Sequence, residues 1–248
     1  NTALGDQSLQ ANTTASNNTA VGYQALYSNT TGSENAGLSN AALQLNTTGN
    51  YNAAAGRGAL NVNTTGSNNS AFGYLALSAN TTASYNTAVG YQALLTNTTG
   101  SNLFAFGANT LRSNTTGNNN AAISGLYSNT TGSNNTGLGM QALNANTTAS
   151  NNTAVGYQAL YANTTGSENN AFGVGALQNN TTGNDNLAVG RLSLRDATTG
   201  SGNTSIGEGS GALMTTGSKN TILGRYNGNA GGLDIRTSSN NIVLSDGD

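Results

Sequence analysis

Residues Asn18–Glu34 read N-T-A-V-G-Y-Q-A-L-Y-S-N-T-T-G-S-E, and the same register returns every 17 residues. It starts at Asn1, Asn18, Asn35, Asn52, Asn69, Asn86, Leu103 and Asn120, and resumes at Asn135, Asn152, Asn169, Asn186, Asn203 and Asn220. One unit, Asn120–Asn134, has 15 residues, with its gap between Gly125 and Leu126. A degenerate last unit is expected near Asn240, after a three-residue insertion. A fixed period over almost all of 248 residues implies a repeated three-dimensional environment. The reading is one tandem array over residues 1–225, with 226–248 as a degenerate repeat, junction or cap.

Composition agrees with an array and disagrees with an ordinary globular enzyme. Only 6% of residues are charged and the net charge is −2, against about 25% charged in typical domains. His, Cys, Pro and Trp are missing. Without His and Cys the commonest general base, thiol nucleophiles and typical zinc sites drop out, and no cofactor is expected. A near-neutral chain offers no basic face for nucleic acid. No apolar run is long enough to span a membrane.

Within the unit, the third position is small (Ala20, Ala71, Ala88) and the fourth apolar. The fifth is usually Gly, the ninth is Leu, and the twelfth to fifteenth read N-T-T-G or N-T-T-A. Asn, Thr and Gly are poor helix formers, and no apolar stripe at helical spacing runs through the unit. Short strands broken by turns fit better. The fourth and ninth positions would face opposite sides of one strand, so a turn after the Gly is expected to place both inside, on two short strands. The predicted core is therefore Val21, Leu26, Leu43, Leu60, Phe72, Leu77, Val89, Leu94, Phe106, Leu111, Leu143, Val155, Leu160, Phe172 and Leu177. The fold class is all-β, a β-solenoid or β-roll of 17-residue coils. At about 4.8 Å per coil, some fifteen coils would stack to roughly 70 Å. Two large apolar side chains per coil, worth about 1.5–3 kcal/mol each, are a thin core against roughly 1–2 kcal/mol per ordered residue. That shortfall points to a homo-oligomer, with a trimer as the expected form.

The units Asn18–Leu26, Asn86–Leu94 and Asn152–Leu160, all N-T-A-V-G-Y-Q-A-L, resemble the head repeats of trimeric autotransporter adhesins. With the following N-T-T-G they also resemble repeats of bacteriophage tail fibres and related fibre-like proteins. The closing stretch Asp234–Asp248 is similar to the segment that precedes a C-terminal intramolecular chaperone in such proteins. The resemblance implies a parallel β-roll, a homotrimeric rod, a place outside the cell or on a virion, and attachment to a host receptor or surface glycans. The chain begins without Met or a signal peptide and is expected to be a processed product or fragment.

Four features of the sequence bear on chemistry. Asn12, Asn29, Asn46, Asn63, Asn80, Asn97, Asn114, Asn129, Asn146, Asn163 and Asn180 open N-T-T triplets. Each fits the N-glycosylation pattern or, alternatively, a stacked hydrogen-bonded Asn ladder, the reading favoured here. Rows of Thr also suit an ice-binding face, although the triplet falls at an expected turn. Tyr23, Tyr74, Tyr91 and Tyr157 at the sixth position, and Tyr27, Tyr127 and Tyr161 at the tenth, suit sugar contacts or packing between coils or subunits. The acids are Asp6, Glu34, Glu168, Asp185, Asp196, Glu208, Asp234, Asp246 and Asp248. Of these Asp185 and Asp196 lie within one coil length of each other and could approach as a glycosidase-like pair, but a solvated surface is the reading favoured here. Gly207, Gly209 and Gly211 read as repeat glycines, because no Walker lysine accompanies them. Eleven of the sixteen charged residues lie after residue 184, which marks that end as chemically distinct. The functional expectation is a structural fibre shaft or adhesin-like protein, not an enzyme; a self-assembling filament, N-glycosylated or bare, and an ice-binding solenoid are the alternatives.

Overall fold

The computed structural model describes residues 1–245 and divides into two compact units, Asn1–Asn120 and a second beginning at Ala121. Each unit is a parallel β-solenoid, and no helix forms among the described residues. Every coil supplies one three-residue strand, at its second to fourth positions. The first unit contains β1 (Thr2–Leu4), β2 (Thr19–Val21), β3 (Ala36–Leu38), β4 (Ala53–Ala55), β5 (Ser70–Phe72), β6 (Thr87–Val89) and β7 (Phe104–Phe106). The second contains β8 (Ala121–Ile123), β9 (Thr136–Leu138), β10 (Thr153–Val155), β11 (Asn170–Phe172), β12 (Leu187–Val189), β13 (Thr204–Ile206) and β14 (Thr221–Leu223). Pairing follows chain order, and equivalent residues lie side by side, as Ala20 does with Gly37 and Ala154 with Ala171.

The expectation of two strands per coil is corrected to one. From the sixth to the eleventh position the chain turns, with Gln24 (φ 54°) and Leu26 (φ 52°) both left-handed. The turns still stack by backbone bonds between coils, such as Leu26 N–H to Ala42 O at 3.0 Å and Ser28 N–H to Gln44 O at 2.9 Å. Left-handed backbone at Leu is costly, and it recurs at Leu43, Leu60, Leu77, Leu94, Leu111, Leu126, Leu143, Leu160, Leu177 and Leu194. Each of these leucines is wholly buried, so burial supplies the free energy that offsets the backbone strain.

The core also differs from expectation. The predicted leucines Leu26, Leu43, Leu60, Leu77, Leu94, Leu111, Leu143, Leu160 and Leu177 fill the interior. The fourth-position residues do not. Val21, Val89 and Val155 are half-buried, while Phe72, Phe106 and Phe172 are 44%, 50% and 40% exposed. The reason is alternation: a three-residue strand points only its middle side chain inward, and that is the third position, where Ala20, Ala71, Ala88, Ala105, Ala154 and Ala171 are wholly buried. The eighth-position alanines, such as Ala25, Ala76 and Ala93, complete the interior. At Gly37 an added methyl would stand 3.1 Å from Ala42 O and 3.5 Å from Leu26 Cγ, so the third position has room for little more than a methyl group.

The fifth position needs glycine for a different reason. Gly22 has φ +132°, and a Cβ there would lie 2.5 Å from the Ser39 carbonyl carbon. Ser39 itself occupies that position with φ 144°, a region essentially reserved for glycine.

Both irregular coils absorb their length changes in the turn side of the coil. In the 15-residue unit Ser124 (φ 53°) accepts the bond from Gln141 N–H at 2.9 Å, a role the sixth position plays elsewhere. After β14 the repeat lengthens to 21, since Thr221 pairs with Ile242 of β17 (Ile242–Leu244). The insertion is thus four residues, not three, and Asn241, not Asn240, takes the first position, its N–H bonding Asn220 Oδ1 at 2.9 Å. The extra chain forms a small antiparallel hairpin, β15 (Asn229–Ala230) and β16 (Leu233–Asp234). Its two-residue loop, Gly231 and Gly232, has both φ values positive, as a tight hairpin of this kind requires. Tyr226 and Ile235 bury beneath it, with Tyr226 Oη donating to Leu233 O at 2.6 Å.

Candidate functional site

Among the described residues the polar groups lie in columns, because each repeat position stacks on its equivalent one coil away. The first column is the N-T-T asparagine. Asn29, Asn46, Asn63, Asn80, Asn97 and Asn114 in the first unit, and Asn129, Asn146, Asn163 and Asn180 in the second, are wholly buried, and Asn12 at the chain start is half-buried. Each Nδ2 commonly donates twice, once to the preceding Asn and once to the backbone three residues on. Asn63 Nδ2, for instance, reaches Asn46 Oδ1 at 2.8 Å and Gly66 O at 2.9 Å, and Asn80 Nδ2 reaches Asn63 Oδ1 at 2.8 Å. In this structure the triplets form a buried amide ladder. In the second unit the ladder stops where Ala197 follows Asn180, and Asn180 Oδ1 is left as a buried side-chain atom without a hydrogen-bond partner.

A second ladder was not singled out from the sequence. The first-position residues Asn18, Asn35, Asn52, Asn69 and Asn86, and Asn135 through Asn220 in the second unit, are buried too. Asn35 N–H donates to Asn18 Oδ1 at 2.9 Å, and Asn18 Nδ2 donates to Gly32 O at 2.8 Å. Leu103 replaces Asn once, keeping the backbone bond to Asn86 Oδ1 at 2.9 Å. The near-invariance of Asn at that position along the chain is the signal that marks it.

The threonines split by position. The first Thr of the triplet turns its hydroxyl to the next coil, as Thr47 Oγ1 does to Thr64 O at 3.0 Å. The second, at Thr31, Thr48, Thr65, Thr82, Thr99 and Thr116, stands exposed in a row.

The outer face of the strands carries the second and fourth positions, and none of these residues is charged in either unit. Leu38, Phe72, Phe104 and Phe106 of the first unit, and Ile123, Phe172, Ile206 and Leu223 of the second, are exposed apolar residues of this face. Beside the strands runs the sixth-position column, where Tyr23, Tyr74, Tyr91 and Tyr157 are exposed. Tyr74 and Tyr91 stack across neighbouring coils, ring centres 5.5 Å apart and 12° from parallel. Tyr27, Tyr127 and Tyr161 are half-buried.

No protein-family model, curated protein or solved structure matches this chain.

The acids find partners other than the pair weighed from the sequence. Asp185 does not pair with Asp196; it lies beside Glu168, its equivalent one coil earlier, and a hydrogen bond from that pair, then charge repulsion, raises the Glu168 pKa. Asp196 is held by Arg195 through bonds of 2.8 and 2.6 Å and accepts from Asn179 at 3.1 Å. The Arg195 bonds lower its pKa. Coil spacing decides this: equivalents 17 residues apart are neighbours, while positions 11 apart sit on different sides of a coil. Asp246 and Asp248 lie outside the described residues. Among the described residues no group of three or more Asp, Glu, His or Cys gathers to hold a metal. In G-E-G-S-G, Gly207 is a fifth-position glycine with φ 139°, in the same place as Gly190.

Proposed function

We propose that this chain is a structural fibre repeat, a spacer and attachment surface that works outside the cell as a homo-oligomer and not as an enzyme. The observation that carries the reading is the outer strand face, uncharged throughout and lined by exposed Leu, Phe and Ile. Contiguous exposed apolar patches mark association surfaces, and a repeated face is complementary to a second copy of itself. At about 4.8 Å between strands and 3.3 Å per residue, seven strands present roughly 330 Å² and eight roughly 380 Å². Each is a little under half of the ~800 Å² per partner of a standard interface, and the exposed sixth-position tyrosines beside the strands add to it. The resemblance of the N-T-A-V-G-Y-Q-A-L units to trimeric adhesin heads and phage fibres supports three copies. Oligomerisation would multiply weak surface contacts by avidity.

Light scattering on the purified chain, compared with a Phe72→Lys/Phe106→Lys variant, tests the reading. A trimeric mass that drops to the chain mass in a variant with unchanged circular dichroism supports it. A wild-type monomer at micromolar concentration overturns it, and long polymers move the reading to a self-assembling filament. The row of exposed threonines favours ice binding as a second reading, and thermal hysteresis of the wild-type solution decides that.

A further inference from the structure

The sixth-position column changes character at the end of the second unit. In place of Tyr157 and Val174 it continues as Arg191, Glu208 and Arg225. Backbone bonds hold the coils in step, with Gly209 N–H donating to Arg191 O at 2.8 Å. Arg191 gives two of its N–H groups to one oxygen, Glu208 Oε1, at 3.1 and 2.7 Å. Arg195, from the same coil as Arg191, gives Nε and Nη2 to Asp196. Among the described residues Arg225 makes no hydrogen bond or ion pair. Among the described residues three guanidinium groups therefore meet two carboxylates, and Arg225 acts on Glu208 through its charge alone.

These three arginines border one cavity of about 440 Å³, within the ~300–1,000 Å³ range of small-molecule sites. Its apolar lining includes Leu213 and Ala230. Ala230 belongs to the terminal hairpin, so the four-residue insertion supplies a wall that no regular coil has. Leu213 N–H donates to Asn227 O at 2.8 Å, which fixes the segment leading into the hairpin against the preceding coil. The rest of the chain lacks this arrangement: before residue 185 the only basic residues are Arg57 and Arg112.

We propose that this cavity binds a small oxyanion-bearing ligand about the size of a sugar ring, its carboxylate, sulfate or phosphate held by Arg225 with the free N–H groups of Arg191 and Arg195, and its body resting on Leu213 and Ala230. Guanidinium matches the geometry of such groups through paired N–H donors. Glu208 acts as an internal competitor, engaging Arg191 when no ligand is present. The inference stands apart from the fibre reading, since it uses only one end of one unit and no oligomer.

Titration calorimetry of the full chain with glucuronate, glucose 6-sulfate, glucose 6-phosphate and neutral glucose tests it. At least one acidic sugar is expected to bind saturably, and which one identifies the oxyanion; glucose is not. Arg225→Ala is expected to weaken binding about tenfold or more, the scale of one charge-assisted bond. Glu208→Gln, by freeing Arg191, is expected to tighten it. Arg57→Ala, at the same repeat position in the first unit, leaves it unchanged. No saturable binding of any acidic sugar up to millimolar concentration overturns the proposal, as does equal affinity of wild type, Arg225→Ala and Glu208→Gln.

Discussion

The coils of the first unit and the coils after Asn186 share a backbone but not an interior. In the first unit each coil after the first buries Ala at the third and eighth positions, Leu at the ninth, and Asn at the first and twelfth, with few departures such as Gly37, Leu103 and Thr110. After Asn186 the twelfth position becomes Ala197 and then Met214, the eighth becomes Ser193 and Ser210, and the third becomes Ser205 and Ile222. Ser205 and Ser210 bond each other at 2.7 Å in the space two alanines hold elsewhere. On the surface, tyrosines give way to arginines and acids. Each interior group satisfies the coil before it and the coil after it, so changes gathered at one end disturb fewer partners; the lone exchange at Leu103 is absorbed by keeping the backbone bond to Asn86 Oδ1.

The largest expected effect tests the shared element. Leu60→Ala leaves a cavity in the middle of the first unit and exposes the strain of a left-handed residue, and should cost about 3–5 kcal/mol by urea denaturation. Next comes the ladder at two places. Asn63→Ala removes the donor to the buried Asn46 Oδ1 and to Gly66 O, and should cost about 2–4 kcal/mol. Asn180→Ala should cost about half as much, roughly 1–2 kcal/mol, because its own Oδ1 is already unpartnered and the orphan merely moves to Asn163. Equal losses at the two sites would show that the ladder does not act through paired partners.

A gain is expected at Ser39→Gly. It relieves a non-glycine residue at φ 144° and should stabilise the first unit by about 1 kcal/mol, read as a rise in the urea midpoint.

The smallest effect separates the column chemistry by pH. Glu168 has its pKa raised by Asp185, so the pair favours the folded state fully below the ordinary carboxylate range and loses that contribution as pH rises through the elevated value. Glu168→Gln should therefore stabilise slightly at pH 7, and the difference should vanish below pH 4.5, the ordinary glutamate value. Asp196, Glu208 and Asp234 behave oppositely. Bonds from Arg195, Arg191 and Arg236 respectively lower their pKa values, so their contribution is present above the ordinary range and lost as pH falls through the depressed values. The acids of the final coils resist mild acid, whereas the Glu168–Asp185 pair is relieved by it. Glycan occupancy gives one further check: buried amides whose N–H groups are already donated should carry no sugar in the folded chain, and intact mass should equal the chain mass.

The period, the absence of helix and the buried leucines were all legible because they follow from residue types and spacing. The exposed Phe72, Phe106 and Phe172 were not, since hydropathy cannot say which of two adjacent strand residues faces inward when the strand is only three residues long. The small third position was visible in Ala20, Ala71 and Ala88, and its smallness was the sign of a tight interior. The first-position asparagines were missed because polar residues read as surface until a partner is known.

By itself the sequence determined the coil length, the stacking of each residue on its equivalent one coil away, and which coil is short, because a repeat acts through identical neighbours. Only the tertiary structure decided which columns face in, that two asparagine ladders run through the interior, that Glu168 meets Asp185, and that three arginines share one cavity. Those depend on where left-handed residues such as Gln24, Leu26 and Glu34 turn the chain, and backbone direction at such corners is set by packing, not by residue type.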